Sequence, residues 1–191
     1  MAQQPSLGIV TAYYGLNSEG IYASGHASIT SSVDFLMMRR ARQANVSALA
    51  FIEVDNAFAR RACLQHGLDM LHGANGQLRL PRVSLVRFHG CVTIGPHKYG
   101  IREANGKRAS WHGAKIAAFQ MSPFDLSVFL DADAIICPSD IEATLLRGFE
   151  LMGSFPIGGV FQQMRWSFDD LNSGVVFWRR SELTRALWNI W

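Results

Sequence analysis

Short apolar runs alternate along this chain with stretches of helical periodicity, and together they predict strands and helices in turn. The runs predict buried strands over residues 7–14, 48–55, 82–88, 128–136, 157–161 and 175–178. Apolar residues three and four apart predict helices over residues 33–46, 57–66, 111–121 and 141–151, and from 182 onward. Residues 90–110, rich in Gly, Pro and His, predict a loop. This alternation is typical of an α/β fold with a doubly wound, mostly parallel sheet and flanking helices.

Two carboxylates interrupt the apolar run at residues 128–136, namely Asp131 and Asp133. A buried carboxylate needs a partner, because removing water from a charge is costly. Residues i and i+2 of an extended strand point the same way, so both acids would face one cation. Mg²⁺ or Mn²⁺ suits such oxygen ligands, and we expect a metal site at the exit of a central strand. The alternative is that one aspartate caps a turn and the other forms an exposed ion pair.

Composition predicts one globular domain over residues 1–191, with 49% apolar and 17% charged residues. The net charge of +3 is small and its basic clusters are scattered, which does not favour a nucleic-acid partner. No segment has the length of a membrane span, and the N-terminus does not look like a leader. The compartment is left open: cytoplasm for the sequence as it stands, or Golgi if an N-terminal anchor precedes it.

The three cysteines, Cys63, Cys91 and Cys137, lie far apart and form no C-x-x-C pair. An odd number without metal-ligand spacing favours free, buried thiols over disulfides or a zinc site. The last predicted helix is still in progress at Trp191. We therefore expect the domain to be incomplete at its C-terminal end.

Two segments resemble the GT-A class of nucleotide-diphospho-sugar glycosyltransferases, in particular the glycogenin-like enzymes. Residues 111–119, the turn Ser-Pro-Phe-Asp at 122–125 and residues 129–133 are similar to the family's helix, turn, strand and D-x-D arrangement. Residues 170–177, Asp-Leu-Asn-Ser-Gly-Val-Val-Phe, are similar to its N-[SA]-G-[VI] strand. The order and spacing of the two segments are far more selective than either alone. The resemblance implies a GT-A fold, which is Rossmann-like, and a metal-dependent hexosyltransferase.

The resemblance also implies roles for individual residues on the donor side. Asp131 and Asp133 would hold Mn²⁺ or Mg²⁺ against the phosphates of a nucleotide-sugar, with a UDP-sugar as the default donor. Lys115 and His112 share a helix face and would reach the diphosphate or the donor sugar. The base and ribose would be seated by the ends of the first two strands, at Thr11, Ala12 and Asp55.

The remaining roles lie near the second segment. Asn172, Ser173 and Gly174 would open a strand beside the reaction centre and bind the donor sugar. Asp169 and Asp170 would be the catalytic acids. One is a general base if the enzyme inverts configuration, and both position sugar or stabilise positive charge if it retains configuration. The acceptor, a carbohydrate or a protein, is left open. The chain departs from the family in one respect, since no histidine follows His112 to supply a further metal ligand.

Three other functions compete with this hypothesis. A transferase-like domain that only binds a nucleotide or a partner fits the same residues. Haloacid-dehalogenase-like phosphatases also place D-x-D after an apolar strand, but their motif opens the chain, and Ala134 stands where they have Gly. A nicotinamide-dependent oxidoreductase would need a G-x-G-x-x-G turn, which is missing after the first strand.

Overall fold

The computed structural model describes residues 5–13, 36–53, 57–74, 77–78, 88–94, 101–102, 108–109, 113–131, 134, 136, 140–163 and 169–190. Its helices are α1 Leu36–Gln43, α2 Ala57–Gln65, α3 Gly113–Met121, α4 Ile141–Met152 and α5 Glu182–Ile190. Its strands are β1 Leu7–Tyr13, β2 Ser47–Glu53, β3 Asp69–Ala74, β4 Gln77–Leu78, β5 His89–Ile94, β6 Ile101–Arg102, β7 Arg108–Ala109, β8 Leu126–Leu130, β9 Ile157–Gln163 and β10 Asp169–Arg179.

The main sheet has the strand order β4-β3-β5-β2-β1-β8-β10-β9, while β6 and β7 form a separate pair. Pairing is parallel from β3 through β5, β2 and β1 to β8. β10 runs antiparallel to both of its neighbours, β8 and β9. The sheet is therefore mixed but mostly parallel, which confirms the predicted α/β class.

Helices cover both faces of this sheet, because successive strand residues point to opposite sides. On one face, Met37 of α1, Cys63 of α2 and Phe149 of α4 pack against Ile9 and Val128. The other face holds Phe119 of α3 and Trp188 of α5, packed in a second cluster with Val10, Phe129 and Trp178. The central strands are buried on both sides, as their continuous apolar runs predicted.

Several predicted boundaries agree with the structure to within a few residues. The helix predicted over 57–66 ends at Gln65, and Gly67 just after it has a φ of 62°. The helix predicted from 182 onward begins at Glu182, and Ser181 caps it, with its Oγ accepting the Thr184 amide at 3.1 Å. Ser122-Pro123 follows the last residue of α3.

Several strands depart from the sequence-based prediction, since β3 and β4 were not predicted and β5, β6 and β7 overlap the loop predicted over 90–110. Residues 90–94, predicted as loop, belong to β5, whereas most of the strand predicted over 82–88 lies outside the described residues. Gly90 favoured a loop prediction, yet here it allows close packing: a Cβ would meet the Phe88 ring at 2.9 Å and the Asp69 carbonyl at 3.0 Å.

The cysteine prediction was wrong for two of the three residues. Cys63 on α2 and Cys91 on β5 form a disulfide, with their Cα atoms 6.5 Å apart. Both residues are fully buried. Their pairing could not be predicted, because the two residues are 28 positions apart and meet only once α2 packs beside β5. Cys137 lies outside the described residues.

Across the described residues, every helix is too short or too polar to serve as a membrane span.

Candidate functional site

The candidate site lies where β8 ends, at the carboxyl edge of the parallel strands. From β1 the chain builds the sheet outward through β2 and β5 on one side, and through β8 on the other. The strand order therefore reverses between β1 and β8. In open α/β sheets, ligands bind outside the carboxyl ends of the strands at such a switch point. Asp131, the first residue after β8, stands at this position.

Asp131 pairs with a buried lysine from α3. The Lys115 Nζ lies 2.9 Å from the Asp131 Oδ1, and the two side chains are 7% and 39% exposed. The same ammonium lies over the Phe129 ring, 4.5 Å from its centroid, where a cation is attracted by the ring quadrupole. The aspartate thus meets a positive charge on its protein side and solvent on the other.

The position of Lys115 follows from the direction of α3. This helix runs back from the carboxyl edge of the sheet, so its first turn lies beside the end of β8. Its sequence, Gly-Ala-Lys-Ile-Ala-Ala-Phe-Gln-Met, is apolar on nearly all sides, which is typical of a buried helix. A lysine within such a helix has to find a buried partner. That pattern was the available signal for the ion pair. The sequence-based prediction placed Lys115 at the donor and did not include its pairing with Asp131.

Gly174 of β10 flanks Asp131 from the other side. The Asp131 amide donates to the Gly174 carbonyl at 2.9 Å, which extends the pairing of Val175 with Leu130 by one residue. The pairing of β10 with β9 shifts register between Asn172 and Val176. Bulges of this kind bend a strand and are frequent next to active sites. The structure thus brings the two sequence segments together at Asp131 and Gly174.

The geometry of the D-x-D segment differs from the prediction. The predicted strand over 128–136 ends at Leu130, and the Ala134 amide donates to the Asp131 carbonyl at 2.9 Å. A bond between residues three apart marks a turn and not an extended strand. The expectation that Asp131 lies within an extended strand is therefore wrong. Asp133 lies outside the described residues.

The other candidates in the second segment lie in the first part of β10, before Gly174. Asn172 pairs with Val160, and Asp169 and Asp170 pair with Gln163 and Gln162. Asp170 is four residues from Gly174, which is about 13 Å along an extended strand. These backbone positions place both acids beyond the carboxyl edge, in the part of the β9–β10 ladder that projects past Asp131. The side chains of residues 169–173, Ser173 included, are outside what the structure describes.

Thr11 and Ala12 lie within β1, not at an exposed end. They are 0% and 4% exposed, and on the described part of the chain the Thr11 Oγ1 has no hydrogen-bond partner. Their backbone is one to two residues from the carboxyl end of β1. Asp55 and His112, the other predicted donor contacts, lie outside the described residues.

The donor chemistry of Asp131 fits a hard divalent cation, because a carboxylate that reaches solvent offers an oxygen opposite the one that Lys115 holds. Among the described residues, no group of three or more His, Cys, Asp or Glu side chains is placed to hold a metal ion. A cation bound by Asp131 would therefore need ligands beyond the described side chains.

Comparison with known proteins gives no relative for this chain. No protein-family model matches it, and neither the curated proteins nor the solved structures contain a match.

Proposed function

We propose that the chain is a GT-A-type domain that transfers a hexose from a nucleotide-diphosphate sugar, a UDP-sugar by default, with Mn²⁺ or Mg²⁺ as cofactor. The observation that carries the proposal is the meeting of Asp131, Lys115 and Gly174 at the switch point of the sheet. This is where an anionic, metal-linked ligand is expected in an open α/β sheet.

The order of elements supports the resemblance on which the proposal rests. The helix α3, the turn at Ser122-Pro123 and the strand β8 lead into Asp131 in the order that the first segment implied. The second segment forms a strand beside β8, with Gly174 next to Asp131. The two segments are some 40 residues apart in the chain, so their contact is not a consequence of sequence proximity.

The residues at the site have complementary tasks in this proposal. Asp131, with Asp133, holds the cation, which when bound offsets the charge that develops on the departing nucleoside diphosphate. Lys115 and the N-terminal end of α3 supply positive potential to a phosphate at the same edge. Gly174 has no side chain to block close approach of the donor. Asp169 and Asp170 are proposed for the acceptor side, as general base or as positioning groups.

Calorimetric titration of UDP into the protein, with Mn²⁺ and then with EDTA, tests the nucleotide site. We expect binding that requires Mn²⁺ and that falls by about a hundredfold or more in Asp131→Asn, since a metal ligand is lost. The asparagine keeps an oxygen for Lys115. Asp140→Asn is the matched control, because Asp140 is exposed and its side chain makes no capping bond; its UDP affinity should equal that of the wild type.

Measurements of turnover distinguish the proposed transferase from two alternatives, a nucleotide-binding domain without activity and a phosphatase. Release of UDP from a panel of UDP-sugars, lost in Asp131→Asn, supports a transferase. Metal-dependent UDP binding without release of UDP from any sugar would indicate a domain that only binds the nucleotide. Hydrolysis of p-nitrophenyl phosphate, with neither UDP nor GDP bound, would overturn the proposal in favour of a phosphatase.

A further inference from the structure

A cavity of about 550 Å³ opens at the opposite edge of the sheet from Asp131. It lies between the end of α3, the end of β10 and one side of α5, and Ser122 and Pro123 form part of its wall. These two residues precede β8, whereas Asp131 follows it. The five residues of β8 separate the two places by about 16 Å. The volume of the cavity is within the range of about 300 to 1,000 Å³ that small-molecule sites occupy.

Aromatic rings form the inner wall of this cavity. Phe119, Trp178 and Trp188 all line it, and they are 3%, 3% and 7% exposed. Phe119 and Trp188 are stacked with centroids 4.6 Å apart, and Trp178 meets Phe119 edge to face at 5.2 Å. The rings hold one another in place, so the apolar wall is already formed before any ligand arrives.

Two arginines, Arg180 and Arg185, form the outer part of the cavity. Among the described residues that line it, none is an Asp or Glu. Arg180 is held by one Nη1 bond to the Pro123 carbonyl at 3.0 Å, which uses one of the five N–H donors of a guanidinium. Glu182 follows the lining residue Ser181 in sequence but is not itself among the lining residues. Asp125, two residues after Pro123, accepts bonds from Ser6.

Polar groups complete the lining between the rings and the arginines. Ser181, Gln120 and Asn189 contribute hydroxyl and amide groups. The Gln120 Nε2 donates to the Trp188 carbonyl at 2.8 Å, which fixes the amide at the wall. Hydroxyl and amide groups beside a pair of guanidinium forks match a sugar that carries a negative charge, and the buried rings form a narrow apolar floor beneath it.

We propose that this cavity binds an anionic sugar, with its phosphate or carboxylate at Arg180 and Arg185 and its hydroxyls at the polar groups of the lining. The site is separate from the Asp131 site and does not depend on the proposed transferase activity. Guanidinium forks bind phosphate and carboxylate alike, so phosphorylated sugars and uronates are the two sources to compare.

Tryptophan fluorescence of the full chain provides the test, because Trp178 and Trp188 line the cavity. Glucose 6-phosphate and glucuronate are titrated separately, with glucose as the neutral probe. We expect saturable binding of at least one anion, little or no binding of glucose, and a loss of about tenfold or more in Arg185→Gln. Arg185 is exposed, so this variant should keep the wild-type circular dichroism spectrum.

Arg147→Gln is the matched control, because Arg147 is an exposed helical arginine on α4 that pairs only with exposed Glu150 in the described part of the chain. It should bind the anions as the wild type does. The inference is overturned if neither anion binds at millimolar concentration, if glucose binds equally well, or if Arg185→Gln has no effect. It is also overturned if UDP with Mn²⁺ displaces the anion, because the anion would then occupy the Asp131 site.

Discussion

At the scale of single residues, the pairing of Lys115 with Asp131 is the most consequential contact. Lys115 is almost fully buried and Asp131 is partly exposed, so loss of the aspartate would remove an ion pair from a largely buried charge. The ammonium holds one carboxylate oxygen of Asp131 and so lies close to any cation that binds the other oxygen. A divalent metal and Lys115 therefore repel each other unless an anion lies between them.

The residue-scale prediction is that Lys115→Met strengthens Mn²⁺ binding in the absence of nucleotide. Methionine fills the apolar space over Phe129 but removes the competing charge. We expect a gain on the order of tenfold, about 1.4 kcal/mol, which is modest because Asp131 is partly solvated. UDP affinity should fall in the same variant, since one positive charge is lost. Electron paramagnetic resonance of free Mn²⁺ measures the first effect.

Lys115→Arg serves as the control for this prediction, because it keeps the charge. Its Mn²⁺ affinity should remain close to that of the wild type. If Lys115→Met binds Mn²⁺ no more tightly than the wild type does, while Asp131→Asn abolishes binding, then Lys115 does not compete with the metal.

At the scale of elements, α5 depends on one tryptophan. Trp188 stacks on Phe119 and meets Trp178 edge to face, whereas Leu183, Leu187 and Ile190 on the same helix are 57%, 41% and 84% exposed. The cap at Ser181 and Thr184 defines where the helix starts, but the aromatic cluster holds it against the sheet.

The element-scale prediction is that Trp188→Ala lowers the free energy of unfolding by about 3 to 5 kcal/mol, the usual cost of emptying a buried aromatic position. Leu187→Ala, one position away and largely solvated, should change it by less than about 1 kcal/mol. Urea unfolding followed by circular dichroism measures both. Equal losses in the two variants would mean that the aromatic cluster does not anchor α5.

The elements that the sequence predicted best are those buried on both faces, such as β1 and β2, because an apolar run needs no partner to be recognised. β3 and β5 were harder to predict, since Gly73, Gly90 and two histidines break their patterns and β3 is held in the main sheet by its pairing with β5. For the site, Asp131 at a strand end was predictable from the run before it. The apolar sequence of α3 indicated that Lys115 needs a buried partner, but the identity of that partner and the turn to Ala134 depend on the folded backbone.

At the scale of the whole molecule, the Cys63–Cys91 disulfide links a helix on one face of the sheet to a strand within it. In the unfolded chain this link would close a loop of 28 residues. Closing such a loop removes entropy from the unfolded ensemble, which stabilises the folded state.

The whole-molecule prediction is that reduction, or Cys63→Ser, lowers the free energy of unfolding by about 3.5 kcal/mol, from the entropy of a loop of this length. Urea unfolding with and without dithiothreitol measures the change. In Cys137→Ser, reduction should lower the free energy of unfolding by the same amount as in the wild type. Thiol titration of the unfolded, unreduced protein should find one free thiol among the three cysteines. Three free thiols would contradict the disulfide.

The pairing of β1 with β8 has a consequence for how the chain is made. Leu7 pairs with Leu126, and Ser6 bonds Asp125 across 119 residues. At a synthesis rate of about 5 to 20 residues per second, β8 leaves the ribosome about 6 to 24 s after β1. During that interval β1 can pair with β2 but has one edge open, and an open apolar edge is a template for another chain. The strand at the centre of the finished sheet is therefore the one that most needs protection by chaperones while the protein is being synthesised.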